Sequence, residues 1–249
     1  MDYRTGNFSG WWLVNLVSPF ESAVTDWNEW RAERVAAAKS PEGKLALIQT
    51  TWLPEGANFD ENLATLDHSK TVKATKLTRT DFSGTVIARG YRLWDSNSEA
   101  IQNFLGIGTF NFDPEWIIEG VFTPFENDKP VPFEFIKDNG GRRDLAVPGE
   151  IVATIDGDEY CFLGFDDDGQ IIVPFSDLTN QSETYGTGRF LLVDRILGLS
   201  YVVLDFNRAF APPCAFSPHF NCPLPLPQNR VRVAIRAGEK RPLFKISMK

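Results

Sequence analysis

The chain has 249 residues, with 25 basic against 33 acidic side chains and a formal charge of −8. That balance gives no bulk attraction for nucleic acid or for an anionic membrane surface. Three cysteines are too few for a disulfide scaffold, while the length suffices to bury a sizeable core, as one large β domain or two small ones.

The opening, MDYRTGNFSGWWLVNLVSPF, contains an apolar run from Trp11 to Val17, far short of the about 20 residues that a bilayer span needs. Its start is mixed in charge and Asn15 interrupts it, unlike a secretory signal. The expectation is a soluble, cytoplasmic protein with no membrane partner, in which Trp11 and Trp12 pack this segment onto the body.

A helix is predicted next. SPFE puts Ser18 at the N-cap, Pro19 at the first helical position and Glu21 where a capping box needs it. Apolar residues then recur at Phe20, Ala23, Val24, Trp27, Trp30, Val35 and Ala38, close to the helical period, and SPEG at Ser40 to Gly43 ends the run. Trp27 and Trp30 share a face and belong to the core.

After KLALIQTTWLPEG the texture turns to short runs rich in β-branched and aromatic residues: TVIARGYRLW, NFLGIGTFNF, EWIIEGVFTPF, VPFEFIKD, EIVATID, EYCFLGF and QIIVPFSDL. Asp and Gly in IDGDEY and FDDDGQ predict tight hairpin turns. DDDG, Asp166 to Gly169, is not expected to hold calcium, because consecutive aspartates in a tight turn cannot all face one ion. His68, in TLDHSKT, reads as a solvated loop residue. The fold expected is mainly β: a β-sandwich or barrel-like body with an N-terminal α-helix and a proline-rich C-terminal strap. Residues 1–43 make the N-terminal segment and helix, 44–138 a β-rich first half and 139–249 a β-rich second half, read together as one continuous domain.

The chain has no P-loop, dinucleotide-binding fingerprint, nucleophile elbow or zinc-protease helix. Polar residues gather instead in SETYGTGRF and LDFNRAF. The first supplies Glu183, Tyr185 and Arg189, the second Asp205, Asn207 and Arg208. If both segments are strands, alternation puts Asp205 and Asn207 on one face and lets Tyr185 and Arg189 share another. The ligand-binding set expected is then Tyr185, Arg189, Asp205, Asn207 and Arg208, holding a small anionic molecule on a forked guanidinium. An acid–base role would fall to Glu183 or Asp205 as base and Tyr185 as acid. The structural alternative is a buried ion network, Glu183 to Arg208 or Asp205 to Arg189, in a noncatalytic structural or interaction protein; DFNRA followed by a turn also reads as a strand end, where Asp and Asn cap loose backbone groups.

The strap, DFNRAFAPPCAFSPHFNCPLPLPQNR, leaves several readings open. Cys161, Cys214, His219 and Cys222 are the candidates for a structural zinc tetrahedron, although no cofactor is predicted. A Cys214–Cys222 disulfide is a second reading, a catalytic thiol a third, and plain packing of small thiols a fourth. The basic tail NRVRVAIRAGEKRPLFKISMK reads as an edge strand with outward charges, or as a region suited to a small anion; within it AIRAGEKRPLF predicts a last strand and a turn at Gly238.

Two long segments carry a resemblance: VPFSDLTNQSETYGTGRFL (Val173 to Leu191) and VVLDFNRAFAPPCAFSPHFNCPLPLPQNRVRVAIRAGEK (Val202 to Lys240). With them the chain resembles the domain-of-unknown-function family 1684. WRAERVAAAKSPEGKLALIQTTWLPEG is similar to that family's opening, while residues from about Asn62 to Val147 carry little of the pattern. The resemblance implies membership and a β-rich fold, and no reaction.

Overall fold

The computed structural model describes residues 19–196 and 198–245. The Ser18 cap and the packing of Trp11 and Trp12 lie outside the described residues. Helix α1, Pro19–Ala38, buries Trp27, whose indole Nε1 donates to the Asn207 carbonyl at 3.0 Å. Trp30 packs against Phe190, Phe210 and Cys222. Both tryptophans therefore face the body, as their shared stripe predicts. The chain leaves α1 through a tight reversal at Gly43, where a Cβ would lie 2.3 Å from the Ala37 carbonyl oxygen. Among the described residues no helix is long and apolar enough to cross a membrane.

A three-stranded antiparallel sheet follows, from β1 (Leu47–Trp52), β2 (Val72–Thr80) and β3 (Val86–Asp95), with β3 in the centre. Two one-turn helices flank it, α2 (Glu61–Thr65) capped by Asp60 and α3 (Glu99–Asn103) capped by Ser98. Neither α2 nor β2 stands out in the sequence. In VKATKLTRT only Val72 and Ala74 are buried, so charged and hydroxyl side chains hide the alternation. Strand β4 (Phe104–Thr109) comes next.

The second half is mainly two facing antiparallel sheets. Strands β5 (Ile117–Glu134), β6 (Arg142–Ile155), β7 (Asp158–Leu163) and β11 (Tyr201–Asp205) run in the order β11-β5-β6-β7. Strands β8 (Phe165–Asp167), β9 (Gln170–Phe175) and β10 (Arg189–Asp194) run β10-β9-β8. Their inward residues share one core, including Ile151, Ile155, Phe162, Ile171, Val173, Phe175, Leu191 and Leu204. Period-two alternation within β6, β9 and β10 puts these side chains on the buried face. The molecule is thus mainly β and sandwich-like, and no sheet among the described residues closes into a barrel. EWIIEGVFTPF and VPFEFIKD join in one long strand, β5, whose pairing with β6 shifts between Pro124 and Lys129. The two hairpin turns form where Asp and Gly predict them: Asp156 and Gly157 both have positive φ, as do Asp168 and Gly169.

The last strand, β12 (Glu239–Phe244), pairs with β4. The turn expected at Gly238 and the last strand after it both form, with Gly238 at φ +76° and β12 beginning at the next residue. Residues 231–237 have no regular strand pairing, and Val231, Ile235 and Ala237 are buried. Between β11 and β12 the strap stitches the two halves together. Its Ser217 Oγ donates to the Leu47 carbonyl at 2.6 Å, and Thr50 Oγ1 donates to the His219 carbonyl at 2.9 Å. On the sandwich side, Leu224 N and Ile136 N close backbone bonds between the strap and the end of β5. Buried Asn229 clasps both backbone groups of Leu163 and the carbonyl of Pro174.

Candidate functional site

Arg189 and Asn207, one from each polar motif, turn inward toward backbone. Arg189, at the start of β10, is wholly enclosed. Its Nη2 donates to Asp177 Oδ2 and to the Ile235 carbonyl, both at 2.8 Å. Its Nη1 donates to the carbonyls of Ala237 and Glu239, and the guanidinium lies 5.2 Å from the Phe175 ring centroid. Burial pulls the guanidinium pKa down, against the stabilising charge of Asp177. Asp177 in turn accepts from Thr179 N at 2.7 Å. Arg189 thus fastens residues 235–239 to β10.

LDFNRAF is not a continuous strand. β11 ends at Asp205, and Phe206–Arg208 form a 3-10 turn that Asp205 caps by accepting from Asn207 N at 3.0 Å. Asp205 and Asn207 consequently meet across a turn, instead of alternating along a strand face. Buried Asn207 accepts from Asp113 N and donates to the Asp113 carbonyl, both at 2.9 Å, while its own carbonyl receives Trp27. Arg208 is half-exposed beside Asp205, 3.4 Å away. Glu183 pairs with Arg236 at 2.9 Å near the surface. The ion pairs actually formed are therefore Asp177–Arg189, Glu183–Arg236 and Asp205–Arg208, a different set from either pairing anticipated from sequence.

What these motifs support is a polar cluster where α1, the strap and β12 meet. Arg189 and Asn207 hold its walls, and Glu239 is its centre. Glu239 is 1% exposed and accepts from Arg34 Nε at 2.7 Å and Nη2 at 2.9 Å, a bidentate pair of the strong kind. It also accepts from Ala211 N at 2.8 Å. The Lys44 ammonium lies over the rings of Phe210 and Phe216, 5.5 and 5.3 Å from their centroids. Burial, helped by the charge of Arg34, lowers its pKa to about 8, although Glu239 and Cys222 pull the other way.

Outside this cluster, α1 and the β4–β12 ribbon enclose a cleft of about 510 Å³. Arg31 and Val35 line it from the helix, Lys39 from the turn just past the helix end, Ile107 and Thr109 from β4, and Glu239 from β12. Residues 28, 31, 32, 35 and 36 all contribute, which is one stripe of a helix. Arg31 lies over Trp27, 4.6 Å from the ring centroid, and its buried Nε has no acceptor.

Tyr185 is the expected site residue that reaches the strap thiols. Its hydroxyl donates to the Cys214 carbonyl at 3.2 Å, and its pKa is raised, first by burial and then by the neighbouring Cys214. Cys214 and Cys222 meet: the Cys214 backbone N–H donates to Cys222 Sγ at 3.2 Å. The other two zinc candidates lie elsewhere. Cys161 is exposed on β7, 3.7 Å from Glu150, and the His219 imidazole pKa is lowered by burial and by Lys137. Among the described residues no three His, Cys, Asp or Glu side chains are placed to hold one metal ion.

Sequence reasoning did not find Arg31, Arg34, Lys39, Lys44 or Glu239. One signal was present: Glu239 is the only acidic residue in the basic tail from Asn229 to Lys249. A lone acid in such a run has cations at hand as partners.

No match is found among curated proteins. Among solved structures, the chain is similar to an uncharacterized protein of Haloarcula marismortui determined by solution NMR. The two are 30% identical, the match covers 54% of this chain and 76% of that one, and the TM-score is 0.44. The family model described as protein of unknown function, DUF1684, matches residues 102–240. That span takes in Tyr185, Arg189, Asn207, both strap cysteines and Glu239, and it extends well upstream of Val173, into residues that carry little of the pattern. On this match the chain belongs to the DUF1684 family.

Proposed function

We propose that the protein binds a small amphiphilic anion in the cleft between α1 and the β4–β12 ribbon. The observation that carries this reading is the lining of that cleft. Arg31 and Lys39 have no ion-pair partner among the described residues, while the one carboxylate present, Glu239, is already taken up by Arg34. The local balance is therefore cationic in a chain of net charge −8. Ala32, Val35, Ala36 and Ile107 supply an apolar wall, so the fitting ligand has a short apolar body and a carboxylate or phosphate head. In this reading Arg189, Asn207 and Tyr185 build the walls instead of touching the ligand. The location proposed is the cytoplasm, where the three free thiols are kept reduced.

Thermal unfolding with millimolar octanoate, and with inorganic phosphate as an anion lacking the apolar body, tests this. At a concentration about 100 times Kd, octanoate should stabilise by about 2.7 kcal/mol, a rise in Tm of roughly 5–10 °C for a chain of this size. Phosphate should do less, and the Arg31→Gln/Lys39→Ala double variant should lose most of the octanoate effect. No rise with octanoate, or an equal rise in the double variant, sinks the proposal. The complete enclosure of Arg189 favours one other reading, a noncatalytic structural or interaction protein, and a null result would leave that reading standing.

A further inference from the structure

The Cys214–Cys222 pair takes no part in the cleft, yet it has the makings of a chemical site. The two residues are eight positions apart in sequence, and each is held by its own anchor. Pro213–Ala215 is a 3-10 turn following Pro212, which fixes the backbone that points the Cys214 N–H at Cys222 Sγ, 3.2 Å away. Cys222 is held by its carbonyl, which accepts from Ile136 N at 3.1 Å, and is followed by Pro223. The pair packs among Phe190, Phe210 and Phe220. Both thiols are free, and they differ in exposure: Cys222 is 5% exposed, whereas Cys214 is only half-buried.

We propose that Cys214 and Cys222 form a redox-active dithiol whose substrate is a small-molecule disulfide, with Cys214 as the attacking thiol and Cys222 as the resolving one. In the first step the Cys214 thiolate attacks one sulfur of the small disulfide. A mixed disulfide forms on Cys214 and one small thiolate leaves. In the second step the Cys222 sulfur attacks Cys214 Sγ, the intramolecular disulfide forms, and the second small thiolate leaves. The two protein thiols together give up two electrons and two protons, and the small disulfide becomes two thiols.

The surroundings suit this division of labour. Cys214 is the more accessible thiol, and the neighbouring Cys222 thiol, with smaller help from Tyr185 and Thr187, lowers its pKa against the effect of burial. The thiolate is the reactive form in exchange. The Cys222 thiol is pushed the other way, by its hydrogen bond to Cys214 and by burial, and so stays protonated until the mixed disulfide has formed. Lys44 is near enough for its charge to act on Cys222.

The test uses the full chain and oxidised glutathione, followed by alkylation under denaturing conditions and intact and peptide mass analysis. The wild type should lose two hydrogens in mass, with only Cys161 remaining open to alkylation and a cross-link joining the Cys214 and Cys222 peptides. Cys222→Ala should stop at a stable glutathione adduct on Cys214, and Cys214→Ser should form neither adduct nor cross-link in the strap. A wild type that keeps three alkylatable thiols, halts at the mixed disulfide, or cross-links only between molecules overturns the proposal. These outcomes are read on the wild type alone, so they stand even if a cysteine variant fails to fold.

Discussion

Arg189 is the residue on which the second half of the chain is hung. Four of its hydrogen bonds reach one carboxylate and three carbonyls, a pattern that only the planar, five-donor guanidinium can satisfy. Arg189→Met should cost about 3–5 kcal/mol in denaturant unfolding, because Asp177 is left as a buried charge without a partner. Arg189→Lys should recover little of this, since a single ammonium cannot reach the same fork. A loss below about 1 kcal/mol for Arg189→Met would show that the clasp contributes little. Lys44 makes the opposite prediction, a residue that costs stability. Its folded pKa of about 8 lies below the ordinary 10.5. Between those values the unfolded chain holds a proton that the folded chain has released, so stability rises with pH across pH 8 to 10.5. Below pH 8 both forms are protonated, and the fold carries the cost of a buried ammonium, up to about 3 kcal/mol. Lys44→Met should therefore be more stable than wild type at pH 7, and its advantage should shrink by pH 9.5. Urea unfolding of both proteins at the two pH values decides this, and a constant difference would remove Lys44 as the source.

Elements differ in how plainly the sequence announces them, and the reason is where each finds its partners. Helix α1 is legible because Pro19 and Glu21 mark its start and Trp27, Trp30, Val35 and Ala38 recur at near-helical spacing within its 20 residues. The β6–β7 and β8–β9 hairpins are legible because Asp-Gly turns close them locally. β2 is not, because it is stabilised by ladder bonds to β3 more than by burial of its own side chains. LDFNRAF offers both a continuous strand and a strand end, and the second forms: Asp205 closes β11, and its carboxylate captures the Asn207 N–H and turns the chain. The candidate site was the least legible part. Arg31 and Arg34 sit on α1, Lys39 lies just past its end and Glu239 some 200 residues away, and no local pattern says that an ordinary helix arginine will meet a buried acid across that separation. The strap cysteines were visible as a pair in sequence, whereas the neighbours that would tune them, Tyr185, Thr187 and Lys44, converge only on folding.

At the scale of the whole molecule the question is whether 249 residues unfold together, since chains beyond about 150 residues often do not. The connections run across every division one might draw. α1 is tied to the sandwich through Trp27–Asn207 and Arg34–Glu239, the first sheet is tied to the strap through Ser217 and Thr50, and β5 pairs with β6 across residue 138. Cutting any one of these ties should weaken the whole, not free one part. Tryptophans report from each region: Trp27 and Trp30 in α1, Trp94 in the first sheet and Trp116 beside Phe206 in the sandwich core. Unfolding followed by tryptophan fluorescence and by far-ultraviolet circular dichroism should therefore give coincident single transitions. Arg34→Ala leaves Glu239 buried with the Ala211 N–H and the charges of nearby Lys44 and Arg189, a loss of about 3 kcal/mol, at the low end for a broken buried pair. That loss should move both curves together by the same denaturant interval. If the fluorescence curve splits, or if Arg34→Ala shifts one probe and leaves the other, then α1 and the first sheet are a separable unit, and the cleft beneath α1 is an interface between two bodies that can part.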